Sequence, residues 1–122
     1  MVRTLEHCRR EKLALHIRGG GHAFEDLNTG RGVLLDTRRM NRVQLSADRS
    51  VVSVEAGASL GAVQRALAPA GLAIPTGSCP SVGVAGLTMG GGYGFLSRLH
   101  GLTCDALLEV ELVDASGRVR VA

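Results

Sequence analysis

Residues Pro75–Gly94 read PTGSCPSVGVAGLTMGGGYG, and seven of the chain's seventeen glycines surround one of its three cysteines here. A cysteine kept for packing belongs in an apolar run, where it behaves as a small hydrophobe. Cys79 stands instead between Ser78 and Pro80. Glycines at this density let backbone approach a partner closely. Val84–Met89 can form a short helix whose N-terminus would present N–H donors to an anionic group. Gly90-Gly91-Gly92 and Gly94 then let the chain lie flat against a planar partner. Tyr93 and Phe95 either stack there or supply the core's only aromatic side chains.

A second glycine loop lies upstream, in Ile17–Phe24 (IRGGGHAF). It follows a strand, so dinucleotide binding is the first reading to test. The GxGxxG spacing fails, because Gly19-Gly20-Gly21 runs into His22, Ala23 and Phe24 with no amphipathic helix behind. A Walker loop is excluded by the absence of any Gly-Lys-Ser/Thr. Two readings stay open: a run of backbone N–H groups beside Arg18 that cradles a phosphate, or a flexible turn. The two loops together say more than either. One ends in His22 and the other carries Cys79, and both residue types are nucleophiles when deprotonated. Two nucleophiles on two nucleotide-friendly loops can both bond to one electrophilic cofactor. No metal site is expected, since His7, His16 and His100 offer no completing ligand spacing.

The rest of the chain bounds the fold. Its 122 residues suffice for one core. Aromatics are confined to Phe24, Tyr93 and Phe95, which leaves the core to Leu, Val, Ile and Ala. A net charge of +3 spread along the sequence, without aromatic platforms, argues against a nucleic-acid partner. No apolar run is long enough for a membrane helix. Three scattered thiols without CxxC spacing or a secretory leader point to a reducing, cytoplasmic setting. The pattern predicts a surface helix at Thr4–Leu13 and strands at Leu13–Ile17 and Val33–Leu35. A hairpin of Val43–Leu45 with Ser50–Ala56 follows. Ser59 should cap a helix carrying Leu60, Val63 and Leu67 and ending near Pro69–Gly71. Ala73–Ile74 reads as a brief strand, and Leu107–Val113 as a longer one returning through a turn at Asp114–Gly117 into Arg118–Val121. The class expected is α+β rather than a doubly wound sheet. Cys8, Cys104 and the three remaining histidines read as structural. Arg38, Arg39 and Arg42 read as a solvated face or a surface meeting a further domain. Asp105 either contacts an adenosine or caps a turn.

At the two loops the sequence resembles the PCMH-type FAD-binding domain of the vanillyl-alcohol oxidase superfamily. Within it, the berberine-bridge-enzyme-like FAD-linked oxidoreductases are most similar. Arg18-Gly19-Gly20-Gly21-His22 matches that family's R-[SG]-G-G-H loop, and Gly77-Ser78-Cys79-Pro80 through Val82-Gly83-Val84 and Gly86 matches its second signature. Gly90-Gly91-Gly92-Tyr93-Gly94, Ser97-Arg98, Gly101-Leu102 and Cys104-Asp105 continue the match, as do Leu34–Met40 (LLDTRRM) and Val54–Gly57 (VEAG).

The resemblance implies that FAD is the cofactor. Its pyrophosphate would lie on the first loop, with His22 bonded to the flavin 8α carbon and Cys79 to C6. Two such bonds would hold the ring rigidly and raise its reduction potential, favouring hydride uptake at N5. The cofactor-binding set is then Arg18, Gly19, Gly20, Gly21, His22, Gly77, Cys79, Val82, Gly83, Gly86, Leu87, Gly91, Gly92, Tyr93 and Gly94. Leu87 departs from the plant members, which carry a histidine there near N1 and C2. Val82 matches the residue beside C4a that gates oxygen, in its oxygen-permissive form, which favours an oxidase. Family members are several times longer, so residues 1–122 are expected to be a partial FAD-binding domain. The small-molecule substrate pocket and the catalytic base, often a tyrosine, would lie in an absent substrate domain. Three readings follow: part of an FAD-linked oxidase, a non-covalent FAD module with a partner chain, or an inactive truncated piece.

Overall fold

The computed structural model describes residues 1–25 and 30–122. Helix α1 (Val2–Arg10) leads into strand β1 (Leu15–Arg18), which pairs in parallel with β2 (Val33–Asp36). Strands β3 (Val43–Leu45) and β4 (Val52–Val54) form an antiparallel hairpin. Helices α2 (Leu60–Leu67), α3 (Val84–Met89) and α4 (Ser97–His100) follow, and β5 (Glu111–Val113) and β6 (Val119–Val121) make a second hairpin. Among the described residues, three two-stranded ladders with intervening helices make the α+β arrangement that the pattern predicts.

Local chemistry accounts for the boundaries. The Ser59 hydroxyl accepts from the Ala62 N–H at 3.2 Å, capping α2. Leu60, Val63 and Leu67 recur on one face of α2 and are buried. The helix closes through a 3₁₀ turn at Ala68–Ala70 into Gly71, whose φ of 69° few other residues adopt. The first helix ends earlier than Leu13, because Lys12 turns left-handed (φ 53°) and the Leu13 N–H folds back onto the Cys8 carbonyl. Ala73–Ile74 forms no ladder; Ile74 packs on the core instead. The last hairpin is ladder-paired only from Glu111, with Val110 and Ala122 exchanging both backbone bonds beyond it. Helix α4 and a 3₁₀ turn at Thr103–Ala106 have no periodic signal and were not expected.

The core is aliphatic throughout. Ala58, Leu60, Val63, Leu67 and Val84 form it, covered by Val43, Leu45, Val52 and Val54 from the hairpin and by Ile74, Val82 and Leu87. Helix α2 is thus clamped between the β3–β4 hairpin and the glycine-rich segment. Tyr93 and Phe95 take no part and are exposed, which settles their open assignment against the core.

Candidate cofactor site

Strand β1 delivers the first loop. The Arg18 carbonyl accepts from the N–H of Thr37 at 2.9 Å and from its hydroxyl at 3.1 Å, with Thr37 itself buried. The guanidinium of Arg18 donates from Nη2 to Asp36 Oδ2 at 3.0 Å. Arg38 closes on the same carboxylate, with its Nη2 2.6 Å from Oδ2 and its main-chain N–H 3.0 Å from Oδ1. Arg38 is exposed, as a solvated face implies, while its guanidinium is committed to Asp36. Its side chain first, then its N–H, and then Arg18 hold the Asp36 carboxyl well below the usual carboxylate range. A Cβ on Gly57 would lie 1.8 Å from the Thr37 carbonyl, so the β4 end reaches this corner only as glycine.

The two glycine loops meet back to back. A Cβ on Gly20 would fall 2.2 Å from the Gly83 nitrogen and 3.0 Å from the Ser81 carbonyl; one on Gly83 would fall 2.5 Å from the Gly20 nitrogen. Any side chain at either position would drive the loops apart. His22 stands two residues beyond this junction and Cys79 two residues before Ser81. Two residues of extended chain span at most about 7 Å, so each of the two residues departs from the chain close to the junction. Both are exposed, and Cys79 is a free thiol.

The second loop is held from the α2 side. The N–H groups of Gly61 and Leu60 donate to the carbonyls of Pro80 and Val82, each at 2.9 Å, and Val84 N–H donates to the Ala58 carbonyl at 2.9 Å. That last bond occupies one first-turn donor of α3; helix geometry leaves Ala85 and Gly86 without intrahelical acceptors. Gly86 is exposed, and a Cβ there would meet nothing within 4 Å. Val82 is half-buried against the core. Leu87 also turns inward. It wedges between loops, where Cβ atoms on Gly77 and Gly92 would lie 2.7 and 2.6 Å from its methyl carbons.

The Gly91–Gly94 turn is locked by a residue that sequence reasoning missed. Buried Thr103 donates its hydroxyl to the Pro75 carbonyl at 2.7 Å, and its N–H reaches the Gly92 carbonyl at 2.9 Å. Gly91 and Gly92 take φ of 98° and 80°. Gly94 closes on the Thr76 carbonyl, which a Cβ would overlap at 1.8 Å. Tyr93, Phe95 and Met89 are left as an exposed apolar rim. Asp105 caps the neighbouring turn, its Oδ2 accepting from the Leu102 N–H at 2.7 Å. Among the described residues no cluster of three or more metal-ligating side chains forms, and no helix is long and apolar enough to cross a membrane.

The sequence profile described as the FAD binding domain matches residues 1–122. The chain belongs to this FAD-binding domain family. The domain is 38% identical over 115 residues to an FAD-linked oxidoreductase, YgaK, of Bacillus subtilis, matching 93% of this chain and 26% of that protein. It is 45% identical over 109 residues to the aclacinomycin-N/aclacinomycin-A oxidase of Streptomyces galilaeus, matching 85% of this chain and 20% of that one. Its fold superposes on the crystal structure of 6-hydroxy-D-nicotine oxidase from Arthrobacter nicotinovorans with a TM-score of 0.94 at 32% identity, covering 99% of this chain and 27% of that one. The fold is thus part of the PCMH-type FAD-binding arrangement shared with berberine-bridge-enzyme-like proteins. The chain spans only 26%, 20% and 27% of the lengths of these three relatives.

The residues present fit FAD. Among the described residues, Arg18 Nε is buried and meets no acceptor, a donor left over beside the first loop. No described backbone carbonyl accepts from the N–H groups of Gly20, Gly21 or His22. Open space over Gly86 and the bare Tyr93 and Phe95 rings suit a flat aromatic ligand.

Proposed function

We propose that the protein to which this domain belongs is an FAD-dependent oxidase. Its flavin would be held by two covalent bonds, from His22 to the 8α carbon and from Cys79 to C6. Its substrate would be a small molecule oxidised at an alcohol, a sugar hydroxyl or an amine-bearing carbon. The observation that carries this reading is the Gly20–Gly83 junction, which brings the His22 and Cys79 loops together and leaves both nucleophiles exposed. When bound, FAD supplies N5 as hydride acceptor. This chain's part is to bind and orient: Gly19–Gly21 offer backbone donors, Arg18 a fixed positive charge, and α3 with Tyr93 a flat wall. The catalytic base and the substrate pocket are proposed to lie in the remainder of the polypeptide. Relatives named as oxidases support the oxidase reading, and a glucose dehydrogenase also stands among the structural neighbours.

Denaturing the purified full-length protein is expected to leave the yellow colour on the polypeptide; free flavin in the supernatant would sink the covalent reading. His22→Ala or Cys79→Ala alone keeps one bond and the colour, whereas the double variant releases it. The 26% share of the Bacillus relative supports a second reading for these residues taken alone. They would hold FAD without bonding it, or be inactive, until joined by the remainder or by a partner chain.

A further inference from the structure

Asp36 lies outside both glycine signatures, yet its carboxylate ties the first loop to β2. Arg18 and Asp36 are register partners at the C-terminal end of the parallel β1–β2 pair, which sets their side chains side by side. Arg18 reaches Asp36 Oδ2 through one Nη2 bond at 3.0 Å, and Arg38 holds the same carboxylate through Nε at 3.0 Å and Nη2 at 2.6 Å. The stem of Arg18 underlies the loop: a Cβ on Gly21 would sit 3.7 Å from Arg18 Cδ. Gly21, at φ 74°, is the residue that turns the chain into His22. An arginine stem has many rotamers to lose, so it forms a fixed floor only when its far end is pinned.

We propose that Asp36 is a positioning residue for His22: it pins Arg18 beneath Gly21, so that the imidazole is presented in one orientation. Cys79 has a second anchorage on α2, where the Gly61 N–H donates to the Pro80 carbonyl. The inference rests on the two-bond reading above. The His22 link exchanges one C–H of the flavin methyl and one imidazole N–H for a C–N bond. The two protons and two electrons set free pass to dioxygen, giving hydrogen peroxide.

The test uses the full-length protein in two backgrounds. In Cys79→Ala the flavin survives denaturation only through His22, and in His22→Ala only through Cys79. Asp36→Asn keeps the size of the side chain and removes its charge. In the Cys79→Ala background it should slow attachment of the flavin roughly tenfold or more, as small misplacements of reacting groups do. In the His22→Ala background the slowing should be several-fold smaller, because there Asp36→Asn loosens Arg18 only as a contact to FAD; an unchanged far-UV circular-dichroism spectrum shows that the variant folds. An equal loss in both backgrounds means a merely structural role and overturns the inference, as does no loss in either. If Cys79→Ala already releases all its flavin with Asp36 intact, the His22 link and the Asp36 role fall together. If it holds its flavin and Asp36→Asn changes nothing, only the Asp36 role falls. If His22→Ala releases its flavin with Asp36 intact, the Cys79 link alone fails. The free-FAD affinity of that variant then reads the loss of Arg18 as a contact, and a fall in affinity as large as the slowing seen in Cys79→Ala overturns the positioning role.

Discussion

Gly20 and Gly86 are both glycines of the matched signatures, yet they face opposite physical situations. Gly20 opposes main chain that cannot yield, with the Gly83 nitrogen 2.2 Å from its would-be Cβ. Gly20→Ala is therefore expected to cost roughly 1–3 kcal/mol, read as a lower urea midpoint, and to reduce flavin retention by parting the loops. Gly86 sits in α3 with nothing near its would-be Cβ. Gly86→Ala should raise the stability of the cofactor-free protein by about 0.5–1 kcal/mol through backbone entropy. The added methyl fills the face proposed for FAD, so the rise in Tm on adding FAD should shrink. An alanine variant that keeps the full FAD-induced shift would place the cofactor elsewhere. Sequence alone marked both residues as glycines and could not rank them, because the difference lies in what stands opposite.

At the scale of elements, the β5–β6 hairpin is organised by one turn residue. The Asp114 carboxylate accepts from the Ser116 N–H and hydroxyl, the Arg118 N–H and Arg120 Nε. The Ser116 hydroxyl first, then Arg120 and the Arg118 N–H, bring its pKa from 3.8 to about 2. The sign follows from linkage: a carboxyl whose folded pKa is depressed binds protons less readily than in the unfolded chain. Its contribution is complete above pH 3.8 and fades as the pH falls through about 2. Thermal midpoints of the parent should therefore decline over that window. Asp114→Asn should start lower at neutral pH and decline less steeply. Parallel slopes for the two proteins would show that Asp114 is not responsible. The turn at Asp114–Gly117 was readable in the sequence because turn chemistry is local. The shortness of β5 was not, since a ladder ends where partner strands end. Likewise α2 was legible from Ser59 and its apolar spacing, whereas α4 is one turn held by neighbouring loops.

Across the whole molecule, apolar surface is distributed unevenly. The core rests on small aliphatic residues around α2, while Met89, Tyr93, Phe95, Leu99 and Leu108 are all more than three-quarters exposed. Large apolar side chains left this exposed are an aggregation liability. Residues 1–122 produced alone are expected to self-associate at concentrations on the order of 10 µM. Phe95→Ser with Leu99→Ser should shift sedimentation toward the monomer. A parent stretch that stays monomeric would contradict this assignment. By itself, the amino-acid sequence determined the two signatures, the FAD family they indicate, the helix at Ser59 and the aliphatic nature of the core. Each of these rests on residues close together in the chain. Only the tertiary structure decided that Gly20 and Gly83 abut, that Leu87 turns inward and that Thr103 locks the Gly92 turn. Only there does Asp36 bind Arg18 and Arg38 at once. Those facts depend on which distant segments are packed face to face, and close packing of backbone against backbone leaves no mark in a string beyond a glycine.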